Sequence, residues 1–250
     1  MIFNAPSGSS GLAQSLQDVV RAAAAGAPRS RQRRIGPSSV GHPCGRRVAY
    51  EAAGVEPVNS GGDPWPSIIG TAGHDWLARA FRAHNAALGR ERWLVERRVR
   101  ITDTLTGTGD LYDTDTATLI DHKILGADSL KAIKRDGPGD QYRVQVQLYG
   151  YGLAREGISV ERVALACYPR SGWLSGLHVW SEPYDPAVAE DALARLSGLG
   201  ALARLLDLDA HPERWALLPD APAATCTWCP AWRPGSGPAD AHGCPGALAA

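Results

Sequence analysis

Asp110, Asp121 and Lys123 lie mid-chain, whereas four cysteines lie toward the ends: Cys44 on one side, and Cys226, Cys229 and Cys244 on the other. Carboxylates are hard donors suited to a divalent cation beside a phosphate, and thiolates are soft donors suited to zinc or iron–sulfur. Two separate chemistries are implied. Gly107-Thr108-Gly109-Asp110 precedes a turn at 113–117, and Asp121-His122-Lys123 follows it. On a strand, residues i and i+2 face the same way, so Asp121 and Lys123 share a face and His122 points to the other. If a hairpin pairs Tyr112 with Leu119, the same register sets Asp110 opposite Asp121. Directly opposed Cβ atoms are roughly 4.5–5.5 Å apart, which lets two carboxylates share one ion. Leu119, Ile120, Ile124 and Leu125 flank the motif and predict a buried strand, where unpaired charge is costly.

The elements that must carry these groups follow from periodicity. Residues 1–10 read as disordered, and Leu12, Leu16, Val19, Val20 and Ala23 give a short helical stripe ending near Gly26 and Pro28. Helices are expected from about Cys44 to Ala53 and from Ile68 to Leu88, with a Pro/Gly/Ser-rich loop over Val58–Pro66 between them. The second helix sets Ile69, Trp76, Leu77, Ala80 and Phe81 on one side and carries Gly70-Thr71-Ala72-Gly73-His74. Strands are expected over 93–101, 107–112 and 118–125 as a meander, then over 161–168 and 174–180, paired through a turn at 169–172. Between them, 141–156 reads as a helix with Val144, Leu148, Tyr151 and Leu153 as core contacts. There Gln145 and Tyr149 share a face at i, i+4, and so do Gln147 and Tyr151. Asp185-Pro186 is an N-cap and first-turn proline opening a helix to about Leu206. The tail from His211 is proline-rich and loop-like.

Composition narrows the classes. The chain has 250 residues with 44% hydrophobic content, enough for a full core, and 26 basic against 26 acidic residues. Any nucleic-acid affinity must therefore come from local clusters. Arg29, Arg31, Arg33 and Arg34 crowd one segment, Arg46 and Arg47 follow Cys44, and Lys131, Lys134 and Arg135 follow the acidic centre. Such runs are ordinarily solvated surface, but the latter two lie beside the candidate sites. No apolar run is long enough to cross a bilayer and the start has no secretory pattern, so a cytoplasmic location without membrane contact is expected. In a reducing compartment Cys226-x-x-Cys229 reads as a ligand pair, and Cys167, in an apolar strand, as a small buried residue.

Gly-x-x-x-His, Gly107-x-Gly109-Asp110, Asp121-x-Lys123 and Gln-x-x-x-Tyr, in this order, resemble the RecB-like branch of the PD-(D/E)XK nucleases. One cysteine between a Ser-Ser segment and Arg-Arg-x-x-Tyr, with three more at the C-terminus, is similar to the iron–sulfur exonucleases associated with CRISPR loci, to the AddB nuclease domain and to related phage-encoded exonucleases. The resemblance spans about Ser38 to Cys244. It implies an α/β fold with a restriction-endonuclease-like core: a central mixed sheet flanked by helices over 67–208. An N-terminal helical or disordered segment (1–36) and a cysteine-clasped metal subdomain built from 37–66 and 209–250 complete that organisation.

The same resemblance implies that His74, Asp110, Asp121 and the His122 main-chain carbonyl hold magnesium or manganese, with Lys123 assisting the attack. It further implies that Gln145 and Tyr149 position a DNA backbone, and that Cys44, Cys226, Cys229 and Cys244 hold a 4Fe-4S cluster. The expected activity is exonucleolytic hydrolysis of linear DNA, single-stranded or with exposed ends, in recombination, repair or phage DNA metabolism. A CRISPR spacer-acquisition nuclease and a non-catalytic, zinc-stabilised DNA-binding module are the alternatives. Four thiolates also suit tetrahedral zinc, for which His42 and His242 are substitute ligands, and the fourteen residues between Cys229 and Cys244 exceed the family's usual gap. Whichever metal is held, tying Cys44 to Cys226 closes a loop of roughly 180 residues, so the metal is expected to be a structural clasp on a tail with little core of its own.

Overall fold

The computed structural model describes residues 8–26, 35–59, 62–208, 210–221, 223–236 and 243–246. The Arg29–Arg34 cluster and His242 lie outside these. Helix α1 (Gly8–Gly26) starts inside the stretch expected to be disordered, and Leu12, Leu16 and Val19 of its stripe remain exposed. Short α2 (Pro37–Val40) leads to α3 (Gly45–Ala53), and α4 (Trp65–Leu88) follows. Helix α4 begins three residues before its expected start, because Pro66 falls in its first turn, where the missing N–H costs nothing. Trp76, grouped with Leu77 on one side of the helix, is exposed, and Leu77 and Ala78 are the buried residues of this helix.

The sheet has five strands in the order β1 (Trp93–Arg100), β2 (Thr106–Asp113), β3 (Thr118–Leu125), β4 (Arg162–Pro169), β5 (His178–Pro183). Strands β1 to β3 form the expected antiparallel meander, but β4 lies parallel to β3 and antiparallel to β5. A parallel neighbour requires a crossover, supplied by α5 (Ala127–Asp136) and α6 (Asp140–Arg155). Helix α5 was not foreseen. Its apolar signal is short, with Leu130 and Ile133 its buried residues. The expected strand over 174–180 also differs: Leu174–Gly176 is a 3-10 turn, and β5 starts only at His178.

Alternation along β3 distributes its side chains between two helical layers. Ile124 and His122 face α4: a Cβ on Gly73 would sit 2.9 Å from Ile124 Cγ1, so this residue lets α4 approach closely. The His122 ring stacks on Phe81, with centroids 5.7 Å apart. Asp121 and Lys123 face α6. The main core gathers residues such as Val99, Leu119, Leu148, Leu153 and Leu165 around this sheet. Helix α7 (Pro186–Leu205) closes it, with Asp185 Oδ1 accepting from Ala187 N as an N-cap.

The C-terminal tail has more core than its sequence suggested. Tyr50, Leu208, Trp215, Leu218, Cys229, Ala231 and Cys244 form a second buried cluster, in which Tyr50 and Trp215 stack with centroids 3.9 Å apart. Large aromatic rings bury much area per residue, which is how a proline-rich segment without periodicity still packs. Among the described residues no helix is long and apolar enough to cross a membrane.

Candidate catalytic centre and cysteine cavity

The β2–β3 register pairs Tyr112 with Leu119, but the ladder runs only from Asp113↔Thr118 to Leu111↔Ile120. It stops one step short of Asp110. There the Asp110 carboxylate itself takes up a strand amide, Oδ2 accepting from His122 N at 2.8 Å. Side-chain-to-backbone bonding thus replaces the ladder where the strands part, leaving both carboxylates at the opening. His74, reaching down from α4, places Nδ1 3.3 Å from the same Asp110 oxygen.

On the α6 side, Gln145 is held between two charges. Its Oε1 accepts from Lys123 Nζ at 2.9 Å and its Nε2 donates to Asp121 Oδ1 at 3.1 Å and to Tyr149 Oη at 3.3 Å. Only one orientation of the amide satisfies an ammonium and a carboxylate together. Lys123 Nζ also lies 2.8 Å from Asp121 Oδ2 and 4.6 Å from the centroid of Tyr142, a contact the sequence gave no reason to expect. The ammonium is thus the polar partner of the buried Asp121 Oδ2. Tyr149 can reach the site because Gly107 has no side chain: a Cβ there would lie 2.6 Å from Tyr149 Cε1. Gln147, the competing register, is fully buried elsewhere, donating to Glu182 Oε1 and accepting from Asp185 N.

Electrostatics sharpen this picture. Burial raises the Asp110 pKa, but the His74 hydrogen bond and charge and the His122 amide outweigh it, and the group is held below the usual carboxylate range. Asp121 is raised, first by burial and then by like charge on Asp110, against the pull of Lys123. Burial disfavours the Lys123 ammonium, yet the Asp121 charge lifts it above its ordinary value. The last two directions conflict, since Lys123 is lifted only while Asp121 is ionised. The Asp121 direction is the one its surroundings enforce, because its carboxyl is wholly out of solvent. His74 is raised by its hydrogen bond to Asp110, and burial lowers His122 to about 4.

Among the described residues no three His, Cys, Asp or Glu side chains already converge as ligands of one bare ion. Each carboxylate is met instead by a basic side chain of the protein: His74 at Asp110, Lys123 at Asp121. The donor types still suit a hard divalent cation: two carboxylates and an imidazole.

Cys44, Cys226, Cys229 and Cys244, all free thiols, line one small cavity together with His42, Arg47, Tyr50, Asp220 and Trp232. The Cys44 sulfur caps α3, accepting from Arg47 N at 3.5 Å. Burial raises Cys44, and pushes Cys229 up to about 11. His42 Nδ1 accepts from Cys44 N at 3.1 Å, which occupies one of its ring nitrogens.

Arg46 corrects an expectation. Rather than facing DNA it is buried, donating to Cys244 Sγ at 3.4 Å and to the carbonyls of Ala216, Leu218 and Gly246, with Asp220 at 3.4 Å. It pins the tail to α3. Arg47 pairs with Glu51 at 2.8 Å, and Lys131, Lys134 and Arg135 lie exposed on α5, with Arg135 paired to Asp136. Cys167 is fully buried.

No protein-family model matches the chain, and no curated protein matches it. Solved structures similar to it include an alkaline exonuclease from Laribacter hongkongensis, with TM-score 0.48 and 16% identity over 73% of this chain and 95% of that one. Another is a phage-related exonuclease from Haemophilus somnus 129PT, with TM-score 0.41 and 13% identity over 71% and 96%.

Proposed function

We propose that the chain is a divalent-metal-dependent deoxyribonuclease of the PD-(D/E)XK type that digests DNA from its ends, in recombination, repair or phage DNA metabolism. The observation that supports it best is the network Asp110–His74 and Asp121–Gln145–Lys123, placed where β2 and β3 part. Asp110, Asp121, His74 and the His122 carbonyl would hold magnesium or manganese. When bound, such an ion polarises a phosphoryl oxygen and lowers the pKa of its water. Lys123 carries a desolvated positive charge to the point where negative charge grows on the phosphate. Gln145 is a positioning residue: it fixes the ammonium and Asp121 relative to one another, and Tyr149 steadies it from one helical turn away. End-directed digestion and the biological setting come from the motif order and are part of the proposal.

The cysteines would hold a 4Fe-4S cluster, with zinc as the alternative, as a clasp between α3 and the tail. The four thiols that line one cavity are the soft donor type either group would need, although among the described residues they do not yet converge as ligands. Iron and labile-sulfide analysis of anaerobically purified protein separates them. The nuclease reading is tested on linear DNA with magnesium or manganese, wild type against Asp121→Ala and Lys123→Ala. Degradation abolished in both variants supports it; undiminished degradation by either rejects this centre.

A further inference from the structure

The loop between β4 and β5 is anchored at its base and bare at its tip. Arg170 N donates to Leu125 O at 2.7 Å, Leu177 N to Leu174 O at 2.9 Å and Lys134 Nζ to Gly176 O at 3.4 Å, while Gly176 rests on Pro169. From this frame Trp173 stands 84% exposed and Leu174 72% exposed. An indole held out on an anchored backbone gains nothing from its own protein, and its flat face is open to an external partner.

The surroundings give that partner a charge. Arg170 precedes the tip, and its Nη1 lies 3.9 Å from where a Cβ on Gly126, the N-cap of α5, would be. Lys131 and Lys134 share a face of α5 at i, i+3, and Lys134 touches the loop directly. Setting Asp128 and Asp136 against Lys131, Lys134, Arg135 and Arg170 leaves a surplus of positive charge. The loop also continues from the strand paired with the one that carries Lys123. In the parallel register Lys123 pairs with Cys167 and Leu125 with Pro169, so the loop springs from the strand end just beyond Lys123.

We infer that Trp173, with Arg170 and Lys134, is a platform for an unpaired nucleotide of the DNA strand passing the Asp110–Asp121–Lys123 centre. The indole stacks on the base and the cations hold adjacent phosphates. This rests on the nuclease reading and adds to it the residues that would hold an unpaired base of the substrate.

The test uses the full chain carrying Asp121→Asn, with calcium present, and measures anisotropy of a labelled single-stranded oligonucleotide and of a blunt duplex. Trp173→Ala is expected to weaken single-strand binding about tenfold and to leave duplex binding unchanged, with Trp173→Phe restoring most of the loss. Arg170→Ala is expected to reduce the salt dependence by about 0.7 in log–log slope. Both side chains are exposed, so an unchanged melting temperature is the folding control. Unchanged single-strand affinity in Trp173→Ala, or an equal loss on both substrates, overturns the inference. Trp173-dependent single-strand binding in a protein whose wild type cleaves nothing keeps it and sinks the nuclease reading. Efficient cleavage with Trp173→Ala binding normally does the reverse.

Discussion

At the carboxylate centre charged or polar side chains from α4, β2, β3 and α6 answer one another: His74 with Asp110, Lys123 with Asp121, and Gln145 between the last two. Around the cysteine cavity the reactive groups are thiols, and their neighbours are aromatic rings, His42, Arg47, Asp220 and the buried Arg46 guanidinium with the carbonyls it meets. Charges buried in a sheet must be matched by other charges, so the first region depends on pairing. Thiols can be buried neutral, so the second can be assembled by packing and wait for a metal. The two regions should therefore fail differently.

The largest effect is expected at the pair. Lys123→Met should abolish nuclease activity and, by leaving Asp121 buried without its cation, destabilise the fold by about 3–5 kcal/mol. Asp121→Asn with Lys123→Met should recover most of the melting temperature without activity, since the matched charges leave together. Thermal unfolding and DNA degradation measured on all three proteins decide this; a double variant no more stable than Lys123→Met would break the pairing account.

In the cysteine region the contest is between metal and aromatic core. Trp215→Ala removes the ring stacked on Tyr50 and should cost about 3–5 kcal/mol. If packing holds the tail, limited proteolysis should cut within 209–250 in Trp215→Ala even with metal retained. A tail that resists in this variant but is released by chelation would assign the holding force to the metal.

Gly107→Ala sets a methyl against the Tyr149 ring and should cost about 1–3 kcal/mol, with activity lost through a displaced Gln145; Tyr149→Phe, which keeps the ring, should not reproduce the stability loss.

The smallest effect is expected at the turn of the β2–β3 hairpin. Asp113, buried in its side chain, accepts from Arg92 Nε and Nη2 at 2.9 Å and from Thr116. The Arg92 hydrogen bond, against some burial, holds its pKa below the ordinary carboxylate value of 3.8. A lowered folded-state pKa means that this stability is fully present above 3.8 and fades as pH falls through the folded value. Asp113→Asn should cost about 1–3 kcal/mol at neutral pH and less in acid. Urea melts at pH 7 and pH 3 check the sign, and an equal cost at both would show that the ionised form is not what matters.

The sequence by itself determined the strand that carries Asp121-x-Lys123, the hairpin register through Tyr112 and Leu119, and the helix opened by Asp185, because alternation, turns and caps are local signals. It could not choose between Gln145 with Tyr149 and Gln147 with Tyr151, which have the same spacing on one helix. Packing chose, turning Gln145 to Asp121 and Gln147 to Glu182. Nor could it show that Arg46 is buried, since the sulfur and carbonyls that satisfy its guanidinium lie some 170 to 200 residues away. Periodicity reports which face of an element is apolar. What a polar group meets on that face depends on residues distant in sequence, which only the folded chain brings together.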